Sequence, residues 1–489
     1  MTLHDDAAYR AMTTHDARFD GRFFVGVTST RVYCRPVCRV RTPRRENCRF
    51  FSNAALAEAH GFRPCLRCRP ELAPGLSLMD SSQVLAQQAA RCIEQAAHDG
   101  TELSMPRLAA RLGVTDRHLR RIFQQHVGVA PIDYLTTQRL LLAKQLLTDT
   151  AMPVTEVALA SGFASLRRFN AAFVERYRMN PSALRRALDE LPAGAVIAPP
   201  TALRLRLAYR PPYQHDAMLR FLSARALAGI EALDAHGMRR TIALPHRGRL
   251  LTGWMAWRFV PQRHEVELAL APELAPLAGA LVRRTRQALD LDADPTRIDA
   301  VLATMPFEAR PGLRLPGSFD GFETAARVVL GQHVTVKAAR TLTLRVVERF
   351  GLPVQTPFAD LQRLFPSAEA IAQATPDAIG SLGIVRQRVG ALQGLARAVC
   401  DGSLELHRAA PLQETLQRLH ALPGVGDWTA QMIAMRVLAW PDAFPASDIG
   451  VLNALGTRDV AHAARQADAW QPWRSYAVMR LWQSLEEMT

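Results

Sequence analysis

Two closely spaced cysteine pairs, Cys34-Arg-Pro-Val-Cys38 and Cys65-Leu-Arg-Cys68, lie 26 residues apart and constrain the fold more than any other feature. A C-x3-C pair and a C-x2-C pair can close a tetrahedral four-thiolate zinc site, and a metal so held organises the chain between them. Buried or redox-active thiols are the alternative. The other cysteines are 48, 92 and 400, so the total is odd, which argues against a disulfide framework. Cys48 reads as a structural or free thiol rather than a ligand.

A zinc dication bound by four thiolates has a net charge of −2, and its sulfurs remain nucleophilic because the metal keeps them deprotonated. Between Arg31 and Arg69 stand ten arginines and only two acids, Glu46 and Glu58, so a phosphate would be drawn toward those sulfurs. The whole chain has 60 basic and 45 acidic residues, a net charge of +15. Nucleic acid is the expected partner, with a solvated basic face as the plain alternative.

At 489 residues the chain is too long for one hydrophobic core. No apolar run approaches the length that spans a bilayer. The polar stretch Met1–Asp20 lacks the apolar core of a secretory signal, so a cytoplasmic protein without a membrane partner is expected. A first boundary is expected at Pro74-Gly75, and a linker at Leu191–Pro200, rich in proline and small residues. Beyond it, Leu203–Leu207 alternates with period two, and strands are also expected at Gly253–Phe259 and Val266–Leu270. Helices are expected over His215–Ala228 and Leu277–Leu289, and almost throughout from Pro316.

Between the first boundary and the linker a helical pattern is duplicated. Leu108–Thr115 then Asp116–Gln125 reads as helix, turn, helix, with Gly113 in the turn and Thr115 as N-cap. Val157–Ser165 then Leu166–Arg176 repeats it. Thr115 and Ser165, Leu119 and Phe169, and Phe123 and Phe173 are each 50 residues apart. The second helices carry polar faces, with Arg117, Arg120 and Arg121 on one and Arg167, Arg168 and Asn170 on the other. Such helices can enter successive major grooves. A plain helical bundle with solvated arginines is the bland reading.

Near the end, Leu419–Ala430 carries Pro423-Gly-Val-Gly426, a hairpin with helical flanks. Gly424 and Gly426 let backbone N–H groups approach a phosphate without Cβ obstruction. Asp448 follows twenty residues after Trp428. Taken alone, it reads as a helix N-cap, and Trp482 taken alone reads as core.

Phe23–Cys38, Arg45-Glu-Asn47 and Gly61–Cys68 closely resemble the N-terminal domain of the Ada adaptive-response family. The resemblance implies that Cys34 takes a methyl group, stoichiometrically and irreversibly, from a DNA methylphosphotriester. It also implies that Cys34, Cys38, Cys65 and Cys68 hold one zinc. Gly162–Pro181 resembles the AraC-type activator domain. The Pro-Cys-His-Arg methyltransferase motif that ends Ada proteins is absent here.

Residues 203–489 resemble AlkA-type alkyladenine glycosylases, through Tyr209–Tyr213, Arg310–Gly317, Gly331–Val334 and Trp470–Tyr476. The likeness implies Asp448 as the catalytic carboxylate and Trp482, Trp428 and Met432 as the base pocket. It implies Gly424, Gly426, Thr429, Gln332 and His333 as DNA contacts, and carbonyls of His420, Leu422 and Gly424 as holders of a monovalent cation. His333 and Met432 depart from the family pattern, which bears on lesion range. Relatives that also cut the strand use a lysine where Trp428 stands, and Lys337 is the only lysine in this half. Hydrolysis without strand cleavage is therefore expected, and a single late cysteine excludes an iron-sulfur loop.

The architecture expected is multidomain. It comprises a small α+β zinc domain over 1–76, an all-α double helix-turn-helix over 80–188, a β-rich α+β domain over 201–306 and an all-α helix-hairpin-helix domain over 307–489. The expected function is release of N-alkylated purines of the 3-methyladenine type, together with methyl acceptance that makes the protein a transcriptional activator. Alkylated and promoter double-stranded DNA, and RNA polymerase, would be its partners. The alternative is a methylation-sensing DNA-binding regulator whose glycosylase-like domain is inactive.

Overall fold

Phe24–Val27 and Val32–Cys34 are β-branched and aromatic runs flanking a turn, and they pair antiparallel as β1 and β2. With β3 (Cys48–Phe51) and β4 (Arg63–Pro64) they form a sheet in the order β3-β1-β2-β4, β4 running parallel to β2. Alternation divides the side chains between two faces. Val25 and Cys48 pack with Ala8, Ala11 and Met12 of the helix Asp5–Thr14. Phe24, Tyr33 and Phe51 pack with Ala57 and Phe62 on the other face.

The computed structural model describes every residue except 1–3, 16–18, 21–22, 39, 53, 69, 71–79, 99–102, 151, 187–198, 200, 247, 308–309, 409 and 488–489. The expected boundary at Pro74-Gly75, and all of the expected linker but Pro199, lie outside the described residues. The chain divides into two units. One comprises residues 1–96, 102–137 and 461–474, the other 97–101, 138–460 and 475–489.

In the first unit the helix Met105–Arg111 ends before Gly113, whose φ of +70° makes the turn. Thr115 caps Asp116–Val127 by accepting the His118 N–H at 3.2 Å. Leu119, Ile122 and Phe123 face inward with no exposed surface. The second unit repeats the device. Val154–Ala160 ends before Gly162 at φ +80°, and Ser165 caps Leu166–Tyr177 by accepting the Arg168 N–H at 3.3 Å. Phe169 and Phe173 take the inward positions.

The rest of the second unit is built on β5 (Leu203–Ala208), β6 (Glu231–Leu233), β7 (Gly237–His246), β8 (Arg249–Val260) and β9 (Glu265–Leu270). These form one antiparallel sheet in the order β5-β9-β8-β7-β6. The three expected strands lie in β5, β8 and β9. β6 and β7 escaped the reading because their buried residues include Glu231 and Arg240, which break the polar alternation. The helix expected over 215–228 stops at Ser223, and the next spans Ala278–Ala288. Leu146, Val157 and Phe173 share one apolar core with Leu205, Trp257 and Leu274.

From Gly321 the unit is helical. It includes Gly321–Leu330, Val336–Phe350, the hairpin pair Leu412–Ala421 and Asp427–Arg436, the short Ile449–Ala454, and the final Arg474–Glu487. The chain is thus multidomain: a small α+β cysteine domain, a helical double helix-turn-helix, a β-rich α+β domain and a helical hairpin domain.

Equal caps should have equal worth. Thr115→Ala and Ser165→Ala should each lower unfolding stability by about 1 kcal/mol in urea titrations, and the glycine variants by only a few tenths.

Candidate functional site

Asp448 follows a turn at Ala446-Ser447 and caps the helix Ile449–Ala454, its Oδ1 accepting the Val451 N–H at 3.0 Å. The same oxygen accepts the indole N–H of Trp482 at 2.9 Å, and Oδ2 accepts that of Trp428 at 2.9 Å. A carboxylate is acceptor-only, and here both its oxygens have N–H donors. Asp448 is buried, at 8% exposure, on the wall of a cavity of about 370 Å³ that Trp428, Met432, Trp482 and Phe221 also line. Such a volume is in the range of small-molecule sites.

Phe221, on the helix His215–Ser223, lies nearly parallel to Trp482, with centroids 6.3 Å apart and planes at 14°. That spacing is about two stacking steps of ~3.4 Å. Arg225 and Arg436 sit over the Phe221 ring, at 3.7 and 4.7 Å from its centroid. Loss of hydration and the nearby Arg225 and Arg327 push the Arg436 guanidinium down to about 9.

The cavity's lining also includes a ring of alternating charges. Arg240 pairs with Glu231 at 3.2 Å and with Glu323 at 2.6 Å, while Arg327 pairs with the same two carboxylates at 3.2 and 3.0 Å. Burial opposes charge on Glu323, but Arg240 and Arg327 outweigh it and hold its carboxyl below the ordinary value. The ring joins β6 and β7 to the helix Gly321–Leu330.

The hairpin is fixed from behind. Gly424 has φ +80°, and a Cβ there would also crowd Ala391 at 3.1 Å. Gly426 precedes the helix Asp427–Arg436 with open space around it. Gln332 Nε2 donates to the Gly424 carbonyl at 2.9 Å and to Thr429 Oγ1 at 2.8 Å. The side chains of Gln332 and Thr429 are therefore turned inward. His333 is exposed at the loop tip with φ +54°. Of the expected cation carbonyls, that of Leu422 accepts the Val425 N–H and that of Gly424 accepts Gln332. Lys337 is exposed and is not among the residues lining the cavity.

In the first unit the register of β2, and of β4 beside it, brings Cys34 and Cys65 together, the Cys65 N–H donating to the Tyr33 carbonyl at 3.0 Å. The sulfurs of Cys34, Cys38, Cys65 and Cys68 all lie within 4.8 Å of one another. A tetrahedron of ~2.3 Å zinc–sulfur bonds has edges of about 3.8 Å, so the four fit a single zinc. Without a cation at their centre they cannot all ionise. Contact with Cys38 and Cys68, then burial, raises the Cys34 thiol far above its ordinary value, while hydrogen bonds from Cys34 and Cys68 lower that of Cys38.

Backbone N–H groups of Arg35 and Val40 donate to the sulfurs of Cys68 and Cys38. Among the described residues none reaches the sulfur of Cys34. Arg35 itself is buried on Asp20, with Nε to Oδ1 at 2.9 Å, so it braces the site, whereas Arg31, Arg41, Arg63 and Arg67 are exposed. Cys48 is buried apart from the cluster, its thiol directed at the Arg44 carbonyl at 3.4 Å.

On the duplicated helices Arg117, Arg121, Arg167 and Arg168 are exposed and Asn170 half-buried. Arg120 is held by Asp116 at 2.9 Å. Phe221, Gly450 and the charge ring escaped the sequence reading. A Cβ on Gly450 would lie 2.9 Å from Trp482 Cδ1 and 3.0 Å from Asp448 Oδ1, so only glycine lets the indole reach the carboxylate.

Four family models match in chain order. They are the metal binding domain of Ada over residues 7–71, a helix-turn-helix domain over 108–187, the AlkA N-terminal domain over 204–320, and the HhH-GPD superfamily base excision DNA repair protein over 326–471. They define a class in which an Ada-like half, with its zinc and helix-turn-helix domains, is fused to an AlkA-type glycosylase half. The probable bifunctional transcriptional activator/DNA repair enzyme AlkA of Mycobacterium tuberculosis is 38% identical over 500 residues, spanning 99% of this chain and 97% of that one. DNA-3-methyladenine glycosylase 2 of Escherichia coli is 32% identical over 278 residues, 56% of this chain and 95% of its own. The bifunctional transcriptional activator/DNA repair enzyme Ada of Escherichia coli is 36% identical over 129 residues, 26% of this chain and 34% of its own. The chain belongs to the family of bifunctional transcriptional activator/DNA repair enzymes of the AlkA type.

Glu323→Gln leaves Arg240 and Arg327 undercompensated in the interior, and should cost about 3–5 kcal/mol at neutral pH. Because the folded carboxyl titrates below its unfolded value, its contribution is present above the ordinary carboxylate range and lost as pH falls through the folded value. The gap in melting temperature between the native chain and the variant should therefore narrow in acid. Gly450→Ala should quench tryptophan fluorescence differently from the native chain, by moving Trp482 off Asp448.

Proposed function

We propose that the cavity releases N-alkylated purines of the 3-methyladenine type from double-stranded DNA by hydrolysis, and that Cys34 accepts methyl groups from DNA methylphosphotriesters. The observation that carries the first reading is the Asp448 carboxylate, fixed by two indoles on the wall of an aromatic cavity. An N-alkylated purine is a cation and already a good leaving group. Flipping it out of the stack costs a few kcal/mol. Phe221 and Trp482 would take the flipped ring between them, and Met432 would add a soft apolar contact. As the glycosidic bond breaks, the sugar turns positive, and Asp448 stabilises it and orients the attacking water. Gly424, Gly426 and the exposed His333 would hold the bent duplex. Lys337 is not among the residues that line the cavity, so among the described residues no lysine is at hand for a Schiff base and strand cleavage.

At the cysteine cluster, bound zinc would keep the four sulfurs deprotonated. Cys34 Sγ would attack the methyl carbon of a neutralised phosphotriester. An S–C bond forms, the C–O bond breaks, and the phosphate oxygen keeps the electron pair. Cys38 and Cys68 spend electron density on backbone N–H groups and Cys34 does not, which favours Cys34 over those two as the nucleophile. The cluster's charge falls from −2 to −1, repulsion from the backbone drops, and DNA affinity rises. Arg117, Arg121, Arg167 and Arg168 would then read promoter DNA in the cytoplasm and present the protein to RNA polymerase.

One incubation with a duplex that carries both N-methylated purines and methylphosphotriesters tests both halves. Asp448→Asn should cut the rate of 3-methyladenine release by about 10²–10³-fold, while Cys34 in the same tube gains one methyl group by peptide mass spectrometry. Unchanged release by Asp448→Asn favours the alternative, a sensing regulator with an inactive glycosylase-like domain. An unmodified Cys34 would sink the methyl-acceptor reading.

A further inference from the structure

Beside the cysteine cluster, the first unit contains a second, much smaller recess of about 20 Å³. Its apolar walls are Met12, Val25, Val27, Val40 and Pro43, and Cys34, Arg35 and Cys38 border it. β1 and β2 pair with Val25 directly opposite Cys34, so Val25 and Val27, two residues apart on one strand, share the face on which Cys34 lies. Both are stiff at χ1, and Val25 is only 1% exposed. Met12 closes the side from the helix Asp5–Thr14, while His15 and Thr42 stand exposed at the rim.

Resting on the reading of Cys34 as the acceptor, we propose that this recess seats the alkyl group once it is on sulfur and so restricts transfer to methyl. A recess of this measure has room for about one small group, and methyl is the smallest alkyl group. An ethyl group adds a carbon that must push into Val25 and Val27, and overfilling a stiff wall is unfavourable. The apolar lining also suits the product. The thiolate becomes a neutral thioether whose methyl gains by leaving water. The bonds exchanged are those given above: S–C forms, C–O breaks, and the electron pair leaves with the phosphate oxygen. No proton or further reactant is needed. Val25, Val27 and Val40 touch the transferred group only after or during its arrival, so they set alkyl size and not the attack itself.

The test uses the full zinc-loaded chain and synthetic duplexes that carry one methyl- or one ethyl-phosphotriester, scored by mass spectrometry of the Cys34 peptide. Simple thiolates already prefer methyl, so the informative quantity is the change in ethyl-to-methyl rate ratio on widening the recess. Val27→Ala combined with Val40→Ala should raise that ratio about tenfold or more, with zinc content unchanged. An unchanged ratio with normal methyl transfer overturns the proposal. Failure of the native chain to take methyl overturns the acceptor reading instead. Should the widened variant lose zinc, transfer of a ¹³C-methyl to the native chain decides the matter. The S-methyl should show nuclear Overhauser contacts to Val25, Val27 and Met12, and a labelled methyl without such contacts contradicts the assignment.

Discussion

A carboxylate gripped by two indoles is the interaction on which the catalytic half depends. Asp448 is brought to its place by a helix cap, Trp428 by the second helix of the hairpin, and Trp482 by the last helix of the chain. Three separate segments therefore converge on two oxygen atoms. Each neighbour serves this meeting. Gly450 leaves room for the indole, Gln332 fastens the adjoining loop to the hairpin, and the ring of Arg240, Glu231, Arg327 and Glu323 ties other parts of the cavity's lining together. A group fixed in this way has little freedom left to lose, which is what electrostatic preorganisation requires of the role proposed for it.

The cysteine cluster solves a related problem with the opposite geometry. There the negative charge is gathered on four sulfurs within 4.8 Å and needs a dication to exist at all. Local hydrogen bonds then differentiate chemically equal ligands, since Arg35 and Val40 reach Cys68 and Cys38 and not Cys34. Under the proposed function both sites would set anionic protein groups against DNA, one toward an electrophilic carbon and one toward a cationic sugar. The net charge of +15 supplies the approach and these few anions supply the chemistry.

Features that depend on near neighbours were legible in the sequence. The cysteine spacing, the two glycine turns and the two N-caps each involve a handful of consecutive residues, and the structure has them at Gly113, Thr115, Gly162 and Ser165. Asp448 shows why two readings of one residue can both hold, since it is a helix cap and also the anchor of two indoles. Features made by distant segments were hidden. Phe221 looks like an ordinary apolar helix residue until Trp482, far along the chain, lies parallel to it. Glu231 and Arg240 obscured two strands, because a charge that finds its partner across the fold violates the alternation that marks a strand. The side chains of Gln332 and Thr429, expected as DNA contacts, meet each other in the interior, a pairing between distant segments that the motif does not reveal.

The most direct measurement of the central claim separates charge from shape at the sugar. Two duplexes would be compared, one with a protonated pyrrolidine in place of the lesion's sugar and one with a neutral tetrahydrofuran ring of the same size. The native chain should bind the cationic duplex more tightly, by about 10²-fold or more, as expected of a transition-state mimic, and Asp448→Asn should abolish the difference. An equal preference in the two proteins would show that the carboxylate does not face a developing positive charge.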